Sequence, residues 1–226
     1  MPSTVVHMAF AGLIGAALLG SAFDRRSVGI LFGAIIFADL DSFVGLFSVV
    51  GHRTAFHTLL IPLTAAGLLV ADLRWRERSW LRERWGARGI RITWVTIVAY
   101  AAAAIGLDLF SAGGANPLWP LHDQFYFVNG KIELSSQRGV VQTFVDFGTD
   151  GQATSGPSTT ARGSSQEVNV STGIDPEPDG DADSGSDEPV DRVFPVVRSG
   201  WQFLLLAVGT VVTAARFYVD HSLPDE

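Results

Sequence analysis

The sequence predicts an all-α transmembrane helical bundle of about five spans, with a small extracytoplasmic β-hairpin and a disordered acidic insert. Three observations carry that reading. Of 226 residues, 47% are hydrophobic and only 17% are charged, which is too apolar for an ordinary soluble domain. The apolar residues are gathered into long runs rather than scattered, and length is what separates a span from a core helix. The charge is segregated, with arginines crowding two links between runs and most of the acidic excess behind the net charge of −7 in one polar stretch.

The runs cover residues 5–23, 28–40 continuing through 43–50, 55–71, 92–110 and 201–219. A span needs about 20 apolar residues at about 1.5 Å each, so the first, third, fourth and fifth qualify directly. The first run is read as a retained helix rather than a signal peptide, because no positive charge precedes it and Arg25 and Arg26 follow it. The second run is interrupted by Asp39 and Asp41. A carboxylate at that depth must face the bundle interior, a cavity or a cation.

Arginine sets the orientation. Arg74, Arg76, Arg78, Arg82, Arg84, Arg88 and Arg91 fill the link between the third and fourth runs, and Arg25 with Arg26 the link between the first two. The positive-inside bias puts both in the cytoplasm, the N-terminus outside and the C-terminus inside. Two links an even number of spans apart must share a side, and the two basic links are such a pair. Arg198, near the outer end of the last span, is the one dissent.

Four segments follow: a membrane domain over 1–123, an ordered outer loop over 124–148, a disordered acidic linker over 149–195, and a last helix with a short tail over 196–226. Within the outer loop, residues 125–128, the Asn129-Gly130 pair and residues 131–134 read as a hairpin with a type I′ turn. The linker is Gly, Ser, Thr, Pro and acid, including Asp175, Glu177, Asp179, Asp181, Asp183, Asp187 and Glu188. Such a composition buries too little apolar surface to offset ordering entropy. Residues 179–188 lack the ligand spacing and flanking helices of a calcium loop. Asn169-Val170-Ser171 fits a glycosylation acceptor.

Cysteine is absent, which excludes disulfides, thiolate metal sites and a cysteine nucleophile. Lys131 is the only lysine, and arginine with acid in place of lysine suggests a halophile's composition. No basic patch suited to nucleic acid stands outside the one arginine-rich link.

Mapped onto this topology, His7 falls near the outer end of the first span, Asp39 and Asp41 in the outer part of the second, His52, Arg53 and His57 at the start of the third, and Asp108 at the end of the fourth. All lie toward one face. His with Asp and without Cys is the ligand set of a Zn²⁺, Mn²⁺ or Mg²⁺ site. Asp39 and Asp41 lie about 200° apart on a continuous helix. Both serve one centre only if the helix breaks there; otherwise they serve two centres, or one as ligand and one as its hydrogen-bonded partner. His52 and His57 suit one centre if His52 lies in the entering loop and His57 in the first turn, with Arg53 free to meet a phosphate or carboxylate.

Taken singly, these residues have plainer roles. His7 fits an interfacial histidine, Asp41 a helix cap and Asp108 an arginine partner. His122 follows Trp119-Pro120-Leu121 in the outer loop and could support the site, whereas His221 lies on the inner side. The turn formed by Gly113, Gly114, Ala115, Asn116, Pro117, Leu118, Trp119 and Pro120 directly follows Asp108. It reads as a rim over the site or as a rigid exit turn, and the two are compatible.

In order, His7, the Ala-Asp-Leu-Asp stretch at 38–41, the His-Arg-Thr-Ala-Phe-His-Thr stretch at 52–58 and Leu107-Asp108 through the Asn-Pro-Leu-Trp-Pro turn resemble the YdjM-like family of membrane-bound metal-dependent hydrolases. The resemblance covers roughly the first 125 residues. The family pattern is an early histidine, Asp-x-Asp, His-Arg-x-x-x-His-Ser, and a late His-x-x-x-Asp before a Gly and Trp-Pro turn. The resemblance implies that His7, Asp39, Asp41, His52, His57 and Asp108 hold a divalent metal, zinc foremost with manganese or magnesium as alternatives. Arg53 becomes an anion contact, and Asp41 or Asp39 the proton acceptor. Two departures stand out: Ala104 replaces the late histidine, and Thr58 the serine. The expected protein is a multi-pass hydrolase of the cell membrane acting on a lipid or phosphoester, with the bilayer as its surroundings and no nucleic-acid partner. The alternative is a non-catalytic scaffold or interaction protein that retains a structural metal or a degenerate site.

Overall fold

The computed structural model describes residues 3–41, 53–111, 113–128, 130, 132–135, 137, 139–142, 159–161, 163–168 and 196–222. The described fold is mostly helical, with α1 Thr4–Leu18, α2 Arg25–Asp39, α3 Leu60–Arg74, α4 Trp80–Leu109 and α5 Gly200–Ser222. The continuation of the second run through 43–50, together with His52, lies outside the described residues.

Local chemistry sets these boundaries. Asp24 caps α2 by accepting from the Ser27 amide at 2.7 Å. Pro62 stands in the first turn of α3, where its missing N–H removes no helical bond. Ser79 caps α4 by accepting from Arg82 N at 3.1 Å. Gly86 departs from helical geometry (φ 63°, ψ −160°), so a short first piece is set off from the rest of α4. Further along, residues Tyr100–Gly106 widen into π-helical turns before Leu107–Leu109 closes the helix.

Two helices, Trp80–Leu109 and Gly200–Asp220, are long and apolar enough to cross a membrane, while the apolar helix Thr4–Leu18 is shorter. Their surfaces suit lipid. Phe203, Leu204, Val208, Val211 and Val219 on α5, and Leu63 and Leu68 on α3, are exposed, an apolar exterior that lipid tolerates and water does not.

The helices run alternately. The start of α1 meets the start of α5, where Ser3 Oγ donates to Val196 O at 2.6 Å, and the end of α1 meets the end of α5, where the Phe23 and Phe217 rings lie 4.7 Å apart. α1 and α5 are therefore parallel. Small residues let them approach closely: a Cβ on Gly209 would fall 2.5 Å from Ala9 O, and one on Gly12 would fall 2.5 Å from Thr213 Oγ1. α2 and α4 run the other way, since Arg88 reaches Asp24 near the end of α1 and Asp108 reaches His7 near its start. The apolar core between them includes Ala11, Leu31, Ile35, Ala99, Ala103, Ala104 and Ile105.

The outer loop pairs differently from the expected hairpin. Tyr126–Val128 (β1) runs antiparallel to Thr159–Ala161 (β4), and Ile132–Ser135 (β2) to Gly139–Gln142 (β3). The hairpin thus forms one step later in the chain, and β1 takes a distant partner. Contacts at one end of the ladder explain this: Phe125 N donates to Gly163 O at 2.9 Å, while Ser165 is tied to Asp123. The stretch read as a disordered linker therefore supplies a strand and a polar anchor through residues 159–161 and 163–168; its remainder lies outside the described residues.

Candidate functional site

The alternation of helices sorts the polar residues to two ends. At the start of α1 and the ends of α2 and α4, the side chains of His7, Asp39, Asp41, Arg53, His57 and Asp108 come together. All are buried except Asp39, which keeps 16% of its side-chain surface exposed. His52, the sixth expected ligand, lies outside the described residues.

The question of the two aspartates is settled by where α2 stops. The helix ends at Asp39 with Leu40 as its cap, and Asp41 turns back toward the bundle. Both carboxylates then reach one imidazole, Asp41 Oδ2 lying 2.8 Å from His57 Nδ1 and Asp39 Oδ1 lying 3.5 Å from its Nε2. An ionised carboxylate only accepts, so the proton of that short contact is assigned to Nδ1. In the neutral ring Nε2 then carries a lone pair, and it faces Asp39 and, at 3.3 Å, Asp108 Oδ2.

His7 completes the group from α1. Its Nε2 lies 3.3 Å from Asp108 Oδ1 and its Nδ1 3.9 Å from Asp39 Oδ1. Both ring nitrogens and both Asp108 oxygens meet their neighbours outside hydrogen-bond geometry.

Arg53 enters from the segment before α3 with an unusual backbone, φ 67°. Its amide donates to Asp41 at 3.0 Å. Its guanidinium, fully buried, lies 2.5 Å from Asp108 Oδ1 and donates to Ser111 Oγ at 2.7 Å and Gly114 O at 3.0 Å. The anion that Arg53 meets in this structure is Asp108.

The Gly-Asn-Pro turn closes over this cluster. Gly114 takes φ 69°, and a Cβ there would fall 2.5 Å from Tyr126 O, so the turn needs glycine for both conformation and space. Ala115 bridges to Tyr126, Asn116 N donates to Arg53 O at 3.2 Å, and Leu59 N donates to Pro117 O at 2.8 Å. Thr58 Oγ1 donates to the same carbonyl and accepts from Leu60 N, a hydroxyl role that serine would also fill. Asn116 Nδ2 donates to Asp123 Oδ1 at 2.6 Å, and Ser165 donates to Asp123 through both its amide and its hydroxyl. Partial burial pushes the Asp123 carboxyl up, but the Ser165 and Asn116 donors outweigh it and hold the group below the ordinary carboxylate range.

Sequence reading missed three supports. Tyr100 OH donates to Phe56 O at 2.6 Å, pinning the peptide beside His57. Ser111 and the Gly114 carbonyl hold Arg53. Tyr100 carried a signal, since it is a lone hydroxyl at the head of an alanine run. His122 is exposed, its ring 6.2 Å from that of Tyr126, and no described contact joins it to the cluster.

Whether these residues suit a metal turns on donor chemistry and spacing. The donors are imidazole and carboxylate only, the set that zinc, manganese and magnesium accept. Donors around a tetrahedral zinc with bonds of about 2.0–2.1 Å stand about 3.3 Å apart, and the His7–Asp108, His57–Asp108 and His57–Asp39 spacings are 3.3, 3.3 and 3.5 Å. Among the described residues no three His, Asp or Glu side chains form a ready-made cage. The donor types are ones a metal accepts, while the side chains stand drawn toward one another rather than arranged around an ion.

Fold and site together define a helical membrane protein with a buried His/Asp/Arg cluster at one end of its bundle. The chain belongs to the YdjM inner membrane protein family, whose model matches residues 1–157. No curated protein and no solved structure matches the chain.

Proposed function

We propose that this protein is a multi-pass, membrane-bound metal-dependent hydrolase with five spans, whose site opens on the outer side and takes a lipid-like or phosphoester substrate. The observation that carries the reading is the charge of the cluster. The cluster holds three carboxylates and one guanidinium, which pairs with Asp108, and the Nδ1 bond of His57 to Asp41 turns its other nitrogen toward Asp39 and Asp108. With both imidazoles neutral, as metal ligands must be, the buried group carries two uncompensated negative charges, which a divalent cation cancels; without a metal, a protonated His57 would offset one of them.

His7, His57 and Asp108 would hold the metal. When bound, it would lower the pKa of a water toward neutrality and polarise a phosphoryl or acyl oxygen. Asp41 orients His57 through Nδ1. Asp39, the one member with reachable surface, is placed to take the proton. Arg53 steadies Asp108. The parallel course of α1 and α5 agrees with three intervening crossings, and arginine at the opposite end supports the site's outward orientation.

A second reading has its own support. Arg53 already spends its guanidinium on Asp108, Ser111 and Gly114, as it would in a scaffold whose closed ion network holds the helices together.

Elemental mass spectrometry of detergent-purified protein separates the two readings. Stoichiometric divalent metal in the wild type, lost in both His7→Ala and His57→Ala, is the expected result and would direct a screen of phosphoester and lipid hydrolysis. Folded wild-type protein that takes up no zinc, manganese or magnesium on reconstitution overturns the metal reading in favour of the scaffold.

A further inference from the structure

We propose that residues 74–91, at the opposite end of the bundle from the cluster, form a docking surface for the phosphate headgroups of anionic phospholipid. The inference is independent of the hydrolase reading. This stretch holds seven arginines against two glutamates, Glu77 and Glu83, and all seven arginines are exposed. Arg76 lies 3.4 Å from Asp72, and Arg88 lies 2.5 Å from Asp24. Among the described residues no carboxylate pairs with Arg74, Arg78, Arg82 or Arg84. Four guanidiniums therefore stand ready for an anion, and their planar donors match phosphate oxygens.

Tryptophan identifies where the anion sits. Trp75, Trp80 and Trp85 are 83%, 56% and 52% exposed within this one stretch. Three indoles facing outward beside arginine are costly in water but suit the headgroup boundary, where an apolar ring and a polar N–H are both accommodated. A free phosphate or a nucleic acid would leave those rings without apolar surroundings, so the combination favours a lipid leaflet.

The local build holds the surface in place. Asp72 accepts from Ser79 Oγ and from the amides of Trp80 and Leu81 at 2.6, 3.0 and 3.1 Å, tying the end of α3 to the start of α4. The non-helical Gly86 then sets residues 80–85 off from the rest of α4. Trp80 and Trp85 pack edge to face at 5.0 Å within that piece. Arginines on such a short, anchored piece are presented together rather than on independent tails, which lowers the ordering cost of engaging several headgroups.

The test is native mass spectrometry of the full chain, delipidated in neutral detergent and titrated with phosphatidylglycerol or phosphatidylcholine. The wild type is expected to retain phosphatidylglycerol at concentrations about tenfold lower than phosphatidylcholine, following the attraction of basic residues to anionic lipid. The Arg78→Gln/Arg82→Gln/Arg84→Gln variant should lose most of that preference. Raising salt from about 0.05 M to about 0.5 M should erase it in the wild type without any substitution. Equal retention of the two lipids overturns the proposal, as does a preference that survives both the triple substitution and high salt.

Discussion

At one end of the bundle Asp41, Arg53, His57 and Asp108 are completely buried, each within reach of another. At the other end Arg74, Arg78, Arg82 and Arg84 face outward with no carboxylate paired to them among the described residues. Both ends are rich in ionisable groups, but their energetics are opposite. A buried charge loses hydration and must recover it from fixed partners, so each group there depends on the rest. An exposed guanidinium keeps its water and depends on nothing in the protein. Substitutions at the two ends should differ accordingly in size.

The largest effect belongs to the buried end. Arg53→Ala removes the partner of Asp108 and two further hydrogen bonds, leaving an uncompensated carboxylate. A loss of about 3–5 kcal/mol is expected, read as the unfolding midpoint in detergent. A loss below about 1 kcal/mol would mean that Asp108 finds water or another cation, and the contrast between the ends would fail.

Ser79→Ala tests whether the exposed end has any fixed architecture. The hydroxyl caps α4 and donates to Asp72, and its removal should cost about 1 kcal/mol. The same variant should weaken the preference for anionic lipid, because the arginine-bearing piece loses part of its anchor. Full preference with reduced stability would show that the arginines act individually.

How much of this contrast was legible in sequence differs between its parts. The ends of the apolar runs placed His7, Asp39, Asp41, Arg53, His57 and Asp108 toward one face because burial of such groups is expensive enough to be informative alone. Arginine clustering likewise located the basic end. The break of α2 at Asp39 was open in the sequence, since helical spacing alone puts Asp39 and Asp41 on different faces. The role of Arg53 was hidden for another reason: its partners Ser111 and Gly114 come from a turn whose closure depends on Tyr126 and Asp123, far along the chain. The β1–β4 pairing was illegible because Thr159–Ala161 lies in a Gly/Ser/Thr stretch without alternation, and its register is set by Asp123 and Gly163.

That turn yields a local prediction. Donors from Ser165 and Asn116 hold the Asp123 carboxyl below its ordinary value, so its contribution is present above the ordinary carboxylate range, about pH 4. It is lost as pH falls through the depressed value. The protection factor of the Ser165 amide, taken against the intrinsic exchange rate at each pH, should fall at low pH, while α1 and α5 stay protected. Protection of Ser165 that does not change with acid would place the hold on β4 elsewhere, in the Phe125–Gly163 bond.

The smallest effect is the one that separates stability from binding. Arg84→Gln removes an exposed charge with no described partner, and stability should change by less than about 0.5 kcal/mol. If the basic end exists to meet lipid, the same substitution should still reduce the preference for phosphatidylglycerol by a measurable factor, since headgroup attraction adds up over individual arginines. A substitution silent in both measurements would leave the arginines as orientation signals alone. One that destabilised the fold as Arg53→Ala does would show that the outward-facing arginines are structural after all, and that the two ends handle charge in the same way.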